Sequence, residues 1–179
     1  MAANNHPMSS AKDTTTATRR ASGPLCGRVE QLLVATKAGA PMQSREAVEL
    51  AGGKGVVGDR YAGRRGHWSD PKWPDQELTL VESEVALTLG IEPMQLRRNI
   101  VTSGVDLGAL IGRRFWVGAG GAMVEGVRRC DPCAYIEGFS RAGMLKELAG
   151  GRGGLRARII RGGWVHAGDE IEVLEERAT

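Results

Sequence analysis

The sequence predicts a mainly β protein whose short strands form a largely antiparallel sheet, and full closure into a barrel would remove that sheet's edges. Three observations lead there. Glycine is abundant at 26 of 179 residues, about double ordinary usage. Aromatic residues make up only 4%, so the composition favours turns and close backbone approaches over long helices. Short apolar runs follow one another at hairpin spacing without a helix after each, which argues against a doubly wound α/β fold. With 41% hydrophobic residues the chain can bury a core, and its length fits one domain.

The elements follow in order. Residues 1–24 lack apolar periodicity and read as a disordered tail, leaving 25–176 as the folded domain. "GRVEQLLVA", from Gly27, is a first strand. "KAGAPMQSREAVEL" reads as irregular, with Pro41 as a breaker. "AGGKGVVGDRYAGRRGHWSDPKWPD" is a long loop, and its Tyr61, Trp68 and Trp73 argue against plain disorder. Gln76–Glu82 alternates as a strand, and "ESEVALTLG" is a short helix with Gly90 at its C′ position. Asn99–Val101 is extended, and "VDLGALIG" is a helical turn ending at Gly112. "RRFWVGAGGAMVEGVRR" is two strands joined at Ala119-Gly120-Gly121. "SRAGMLKELAGG" is a helix ended by Gly150. "LRARIIRGGWVHAGDEIEVLE" gives three strands, separated by turns at Gly162-Gly163 and Ala167-Gly168-Asp169.

Charge and cysteine usage narrow the function classes. Of the formal net charge of +3, Lys12, Arg19 and Arg20 against Asp13 place +2 in the first 24 residues, which leaves +1 for the remainder. That speaks against a nucleic-acid partner and leaves room for a local basic pocket holding one small anion. Three cysteines, Cys26, Cys130 and Cys133, are too few for a disulfide scaffold, and their odd number favours a reducing compartment. No apolar run approaches a membrane span and no secretory h-region is present, so the expected location is the cytoplasm, without a membrane partner.

The stretch "RRCDPCAYIE" (128–137) carries the sharpest chemical question. Cys130 and Cys133 form a CxxC, which serves as half a zinc site, as a redox dithiol, or as one reactive thiol with a bystander. Zinc requires four ligands in a structural site, and no second CxxC exists. His67 and His166 stand at no supporting spacing. Pro132 sits between the two cysteines, outside any thioredoxin-like setting.

Six stretches in order, "GDRYAGR" (58–64), "LRRNIV" (96–101), "GVDLGALIG" (104–112), "DPCA" (131–134), "GGLRARII" (153–160) and "GDEIEV" (168–173), resemble the MOSC family, the domain at the C-terminus of molybdenum-cofactor sulfurases, and its small stand-alone bacterial members. The resemblance covers about Gly27 to Leu174. It implies a MOSC-type closed β-barrel with a few peripheral helices. It also implies a molybdenum cofactor (molybdopterin) beside one essential cysteine, which matches Cys133 and would be both catalytic residue and molybdenum ligand. A soft thiolate suits such a centre, and Arg128 and Arg129, close in sequence, would supply a positive field.

The matching motif places Arg97 at the cofactor's phosphate. Beside it, Arg98 either assists or faces solvent, and Asn99 offers donor and acceptor to a polar cofactor edge. Asp59 and Arg60 after Gly58 either form a second anion site or only shape the loop, Arg129 is a further candidate beside the anionic cofactor, and Tyr61 and Trp68 either wall a substrate pocket or anchor the loop to the barrel. Arg97 suits the cofactor's phosphate because its guanidinium is a planar fork of donors. Two departures stand out: Tyr61 occupies a position often held by His, and Arg98 replaces the usual Glu of an R-E-N motif. The implied activity is reduction of N-hydroxylated compounds with electrons from a separate reductase. The alternative is a sulfur-carrier or cofactor-delivery module, with a Cys133 persulfide and a sulfurase partner. No flavin, haem or pyridoxal phosphate is expected in this chain.

Overall fold

The computed structural model describes residues 25–70, 72, 75–119 and 121–174; the N-terminal tail, Trp73 and the Gly120 position of the expected hairpin turn lie outside them. The backbone forms eleven strands among the described residues, joined by few and short helices. Strands β1 (Leu25–Val34), β5 (Leu78–Glu82), β6 (Ile100–Ser103), β7 (Arg114–Val117), β8 (Ala122–Arg129), β9 (Leu155–Arg161) and β11 (Glu170–Val173) run in the order β11-β7-β8-β9-β5-β6-β1. The pairing of β1 with β11 then closes a seven-strand barrel. Among the described strand pairs, only β5 and β6 run parallel. The short β2 (Gln43–Arg45) extends from β1.

Alternation along the strands explains why the barrel is filled. Leu78 and Leu80 of β5, Phe115 and Val117 of β7, Ala122 and Val124 of β8, and Leu155, Ala157 and Ile159 of β9 point into one interior cluster. A smaller sheet, β10 (Gly163–His166) with β3 (Ala47–Ala51) and β4 (Gly55–Val56), joins that cluster through Val48, Leu50, Val56 and Val165. The opposite face of β1, β5 and β6 is apolar as well. Leu33, Val81 and Val101 lie under α1 (Ser83–Leu89), α2 (Met144–Glu147) and the 3-10 turns Pro93–Leu96 and Ala134–Phe139. Strands covered on both faces read as continuous apolar runs, as "LTLV" does.

Three expectations need correction. The stretch expected to be irregular forms β2 and β3, because β3 finds its partners in β4 and in the distant β10. Gly162-Gly163 is not a hairpin turn. The chain leaves β9 there for the small sheet, and a Cβ on Gly162 would lie 2.5 Å from the Leu50 carbonyl oxygen, one on Gly163 2.5 Å from that of Gly121. The helix expected over "SRAGMLKELAGG" shrinks to Met144–Glu147, entered through Gly143 at φ 87. Gly90 does end α1 in the left-handed region, at φ 63.

Candidate functional site

The site lies outside the barrel, where a polar row crosses three strands and ends at Asn99, just before β6. Arg128 of β8 stands opposite Arg156 of β9, and Arg156 opposite Thr79 of β5. The Thr79 hydroxyl donates to Asn99 Oδ1 at 3.0 Å, and the Asn99 amide N–H donates to the Thr79 carbonyl at 2.9 Å. Above this floor runs the extended segment Cys130–Cys133, against a facing loop, Gly58–Asp70. Between them opens a two-lobed cleft, each lobe enclosing about 490 Å3 including space open to solvent. Cys133, Asp131, Trp68, Gln76 and Arg156 border both lobes.

The CxxC divides. Cys130 is 1% exposed and belongs to the wall, its N–H donating to the Gly154 carbonyl at 2.8 Å. Cys133 is half-buried and faces the cleft. Both are free thiols, and no group of three or more His, Cys, Asp or Glu that would hold a metal occurs among the described residues. One thiol is therefore presented to the cleft.

The inner lobe gathers four arginines, Arg60, Arg97, Arg98 and Arg156, with Tyr61, Trp68, Thr79 and Tyr135. Arg97 is the most unusual. It follows the 3-10 turn Pro93–Leu96 and adopts φ 57, left-handed for a non-glycine residue, a conformation that costs about 1–2 kcal/mol. Its side chain is buried, with Nη1 donating to the Ala40 carbonyl at 2.9 Å. Its Nε and Nη2 have no hydrogen-bond partner. The guanidinium lies 3.9 Å from the Phe139 ring centroid, and no carboxylate pairs with it among the described residues. Burial, then the neighbouring Arg60 cation, pull its pKa below the ordinary arginine value. Both causes disfavour the charge that an anion in the cleft would restore. Arg156, also buried, donates Nη1 to Gln76 Oε1 at 2.5 Å and leaves Nε unpartnered.

Of the residues singled out from the sequence, Cys133, Arg97, Arg98, Arg60, Tyr61 and Trp68 line this cleft. Three do not. Asp59 is buried beside it: Oδ2 accepts from the Ala35 N–H and from Arg60 Nη1, both at 3.0 Å, and Oδ1 accepts from the Tyr61 N–H. Arg60 in turn donates Nη2 to the Arg97 carbonyl at 2.9 Å. Asp59 and Arg60 thus hold the left-handed Arg97 backbone in place. Asn99 is spent on Thr79 and on the Leu33 carbonyl. Arg129 turns to the Gly151 carbonyl at 3.0 Å. Nor does Arg128 offer Cys133 a free positive field, since Asp75 at 2.6 Å and Asp131 at 3.2 Å neutralise it. Gln76, Thr79, Tyr135 and Arg156 join the lining without a motif to announce them. The phase of β9 signals Arg156, which alternates with the core residues Leu155 and Ala157.

A family model described as the MOSC domain matches residues 73–172. Among solved structures, YuaD from Bacillus subtilis superposes with a TM-score of 0.68 at 23% identity, covering 84% of this chain and 97% of that one. YiiM from Escherichia coli gives 0.58 at 18% identity, covering 83% and 72%. YiiM from Geobacillus stearothermophilus gives 0.64 at 13% identity, covering 83% and 75%. These likenesses speak to the fold. No curated protein matches the chain.

Proposed function

From a chain that belongs to the MOSC domain family, a family associated with the molybdenum cofactor, we propose a protein that binds this cofactor in the cleft and reduces N-hydroxylated compounds with electrons from a separate reductase. The observation that carries the reading is the Arg97 guanidinium: buried, without a carboxylate among the described residues, with two unpartnered nitrogens, on the lining of the same cleft as the Cys133 thiol. A buried cation left in this state is costly unless an anion completes it.

The donor set suits the group. Arg97 and Arg156 offer free N–H donors to its phosphate and polar edges, and Arg98 adds charge. Cys133 would offer the cofactor's metal one soft sulfur. When bound, the cofactor supplies two-electron redox chemistry, and the protein supplies binding, orientation and electrostatics. The outer lobe, which adds Arg128 and Pro132 to the residues shared with the inner lobe, is where a substrate would be held.

The test is metal and pterin analysis of protein made in a cofactor-competent host. Stoichiometric molybdenum and pterin, lost in Cys133→Ala, support the reading. Turnover of amidoximes or N-hydroxylated bases with a reductase extends it to catalysis. Metal-free protein carrying a persulfide mass shift on Cys133 replaces it with the sulfur-carrier reading, and molybdenum-loaded protein without turnover of any such substrate removes the reductase claim.

A further inference from the structure

Two segments at the lip of the cleft, Ala35–Ala40 and Ala62–Trp68, carry Lys37, Arg64, Arg65 and His67 and no acidic residue. They are fastened together. The Ala38 N–H donates to the Arg65 carbonyl at 2.7 Å, and the Gly39 N–H donates to the Tyr135 hydroxyl at 2.8 Å. Tyr135 follows Cys133 by two residues and lines the cleft. The His67 ring stacks on it at 4.1 Å between centroids, with 7° between the planes. All four charged or titratable side chains of the patch are exposed, and Lys37, Arg64 and Arg65 pair with no carboxylate among the described residues. The remaining body of the chain has a net charge of only +1. A cluster of three unpaired cations is therefore a local feature of this lip.

We infer that the Lys37–Arg64–Arg65 patch is a docking surface for an acidic electron-carrier protein, which it seats against the Tyr135–His67 side of the Cys133 cleft. The inference rests on the reductase reading given above. Reducing an N-hydroxylated compound takes up two electrons and two protons, breaks the N–O bond, and releases an amine and water. A one-electron carrier must therefore visit twice per turnover, and fast, repeated encounter is what charge steering provides. Nucleic acid is the lesser fit. Three cations without an exposed stacking aromatic beyond His67 make a small phosphate footprint.

The full-length protein is titrated with an acidic [2Fe–2S] ferredoxin as the probe, at about 20 mM and 200 mM salt. Expected are binding that weakens with salt and a loss of at least about tenfold in affinity in Lys37→Glu/Arg65→Glu. The exposed Arg28→Glu/Arg113→Glu pair, equal in charge change but elsewhere on the barrel, should leave binding within about twofold. No binding at low salt, equal losses in both pairs, or binding indifferent to Lys37→Glu/Arg65→Glu overturns the surface. In parallel, turnover is driven by dithionite-reduced viologen, which needs no docking patch. If that turnover is absent the reductase reading fails, whatever the ferredoxin titration gives. If it is present and equal in all variants, the titration alone decides the docking surface.

Discussion

Replacing Arg97 by methionine separates a binding residue from a structural one. Most buried long side chains cost about 2–5 kcal/mol when their contacts are removed. Arg97 should not. Losing the Nη1 bond to the Ala40 carbonyl costs about 1.5–3 kcal/mol, and losing the contact with the Phe139 ring about 1–2 kcal/mol. Against this, the two buried unpartnered nitrogens disappear, each a burden of about 1–3 kcal/mol. Methionine keeps the stem's volume, and the φ of 57 is unchanged in cost. The two sides nearly cancel, so the ligand-free variant should lie within about 2 kcal/mol of the wild type, or about 5 °C in Tm for a chain of this size. Inorganic phosphate then reports the site. At a hundredfold excess over Kd a bound anion stabilises by about 2.7 kcal/mol, which raises Tm by about 5–10 °C. Cofactor-free wild type should show that rise and Arg97→Met should not. A variant that loses more than about 3 kcal/mol, yet still responds to phosphate as the wild type does, would refute the reasoning.

Further expectations concern the thiols, a buried acid and a glycine. Iodoacetamide should label Cys133 at least about tenfold faster than Cys130 in the folded protein, since only Cys133 opens to the cleft; equal rates by peptide mass analysis would contradict this. Glu82 is pushed above the ordinary carboxylate value of 4.5, first by burial, and its Oε2 has no partner. A raised native pKa means the folded state binds the proton more tightly, so stability falls as pH rises above 4.5 through the native pKa. Glu82→Gln, which keeps an acceptor for the Leu107 N–H, should flatten that slope in denaturant titrations between pH 4 and 8, and an unchanged slope would show that another group is responsible. Gly154 has φ 93, and a Cβ there would lie 2.0 Å from the Leu80 carbonyl oxygen. Gly154→Ala should therefore cost at least about 2 kcal/mol by urea unfolding, and a neutral result would mean that β9 can shift.

Much of the barrel was legible because its strands alternate, and alternation is a local signal. β5, β7, β8, β9 and β11 all fall where short apolar runs predict them. What escaped is non-local. β3 finds one partner, the two-residue β4, close by in sequence, but its longer pairing is with β10, more than a hundred residues later. Gly162 and Gly163 resemble a turn, but neither has a positive φ. They are small because backbone from β3 and from the β7–β8 connection passes against them. Within the site, the ordered motifs found the correct neighbourhood but not each side chain's direction. In "RRNIV" Arg97 enters the cleft while Asn99 bonds Thr79 and Leu33 beside it; in "GDR" Asp59 turns inward to Ala35 and leaves Arg60 on the lining. In "RRC", Arg128 is held by two acids and Arg129 turns away. A motif names the segment, and the backbone's alternation and the nearest partner decide which of its residues face the ligand.

The location of the site follows from how the barrel is filled. Seven strands close around a cluster of Leu, Val, Ile, Ala and Phe side chains, so the interior is a packed core. Helices cover one outer sector with apolar side chains. The sector left for chemistry is the outer face where β8, β9 and β5 present Arg128, Arg156 and Thr79 in a row that Asn99, just before β6, continues. Asn99 and Thr79 satisfy each other, and Arg128 is satisfied by Asp75 and Asp131, so three of the four members make a rigid floor. Free hydrogen-bonding capacity remains on Arg156 in the floor and on Arg97 above it. The pair brackets the cleft into which Cys133 is presented. Where the only unspent buried donors among the described residues belong to two cations, the site is specified for an anion before any particular ligand is considered.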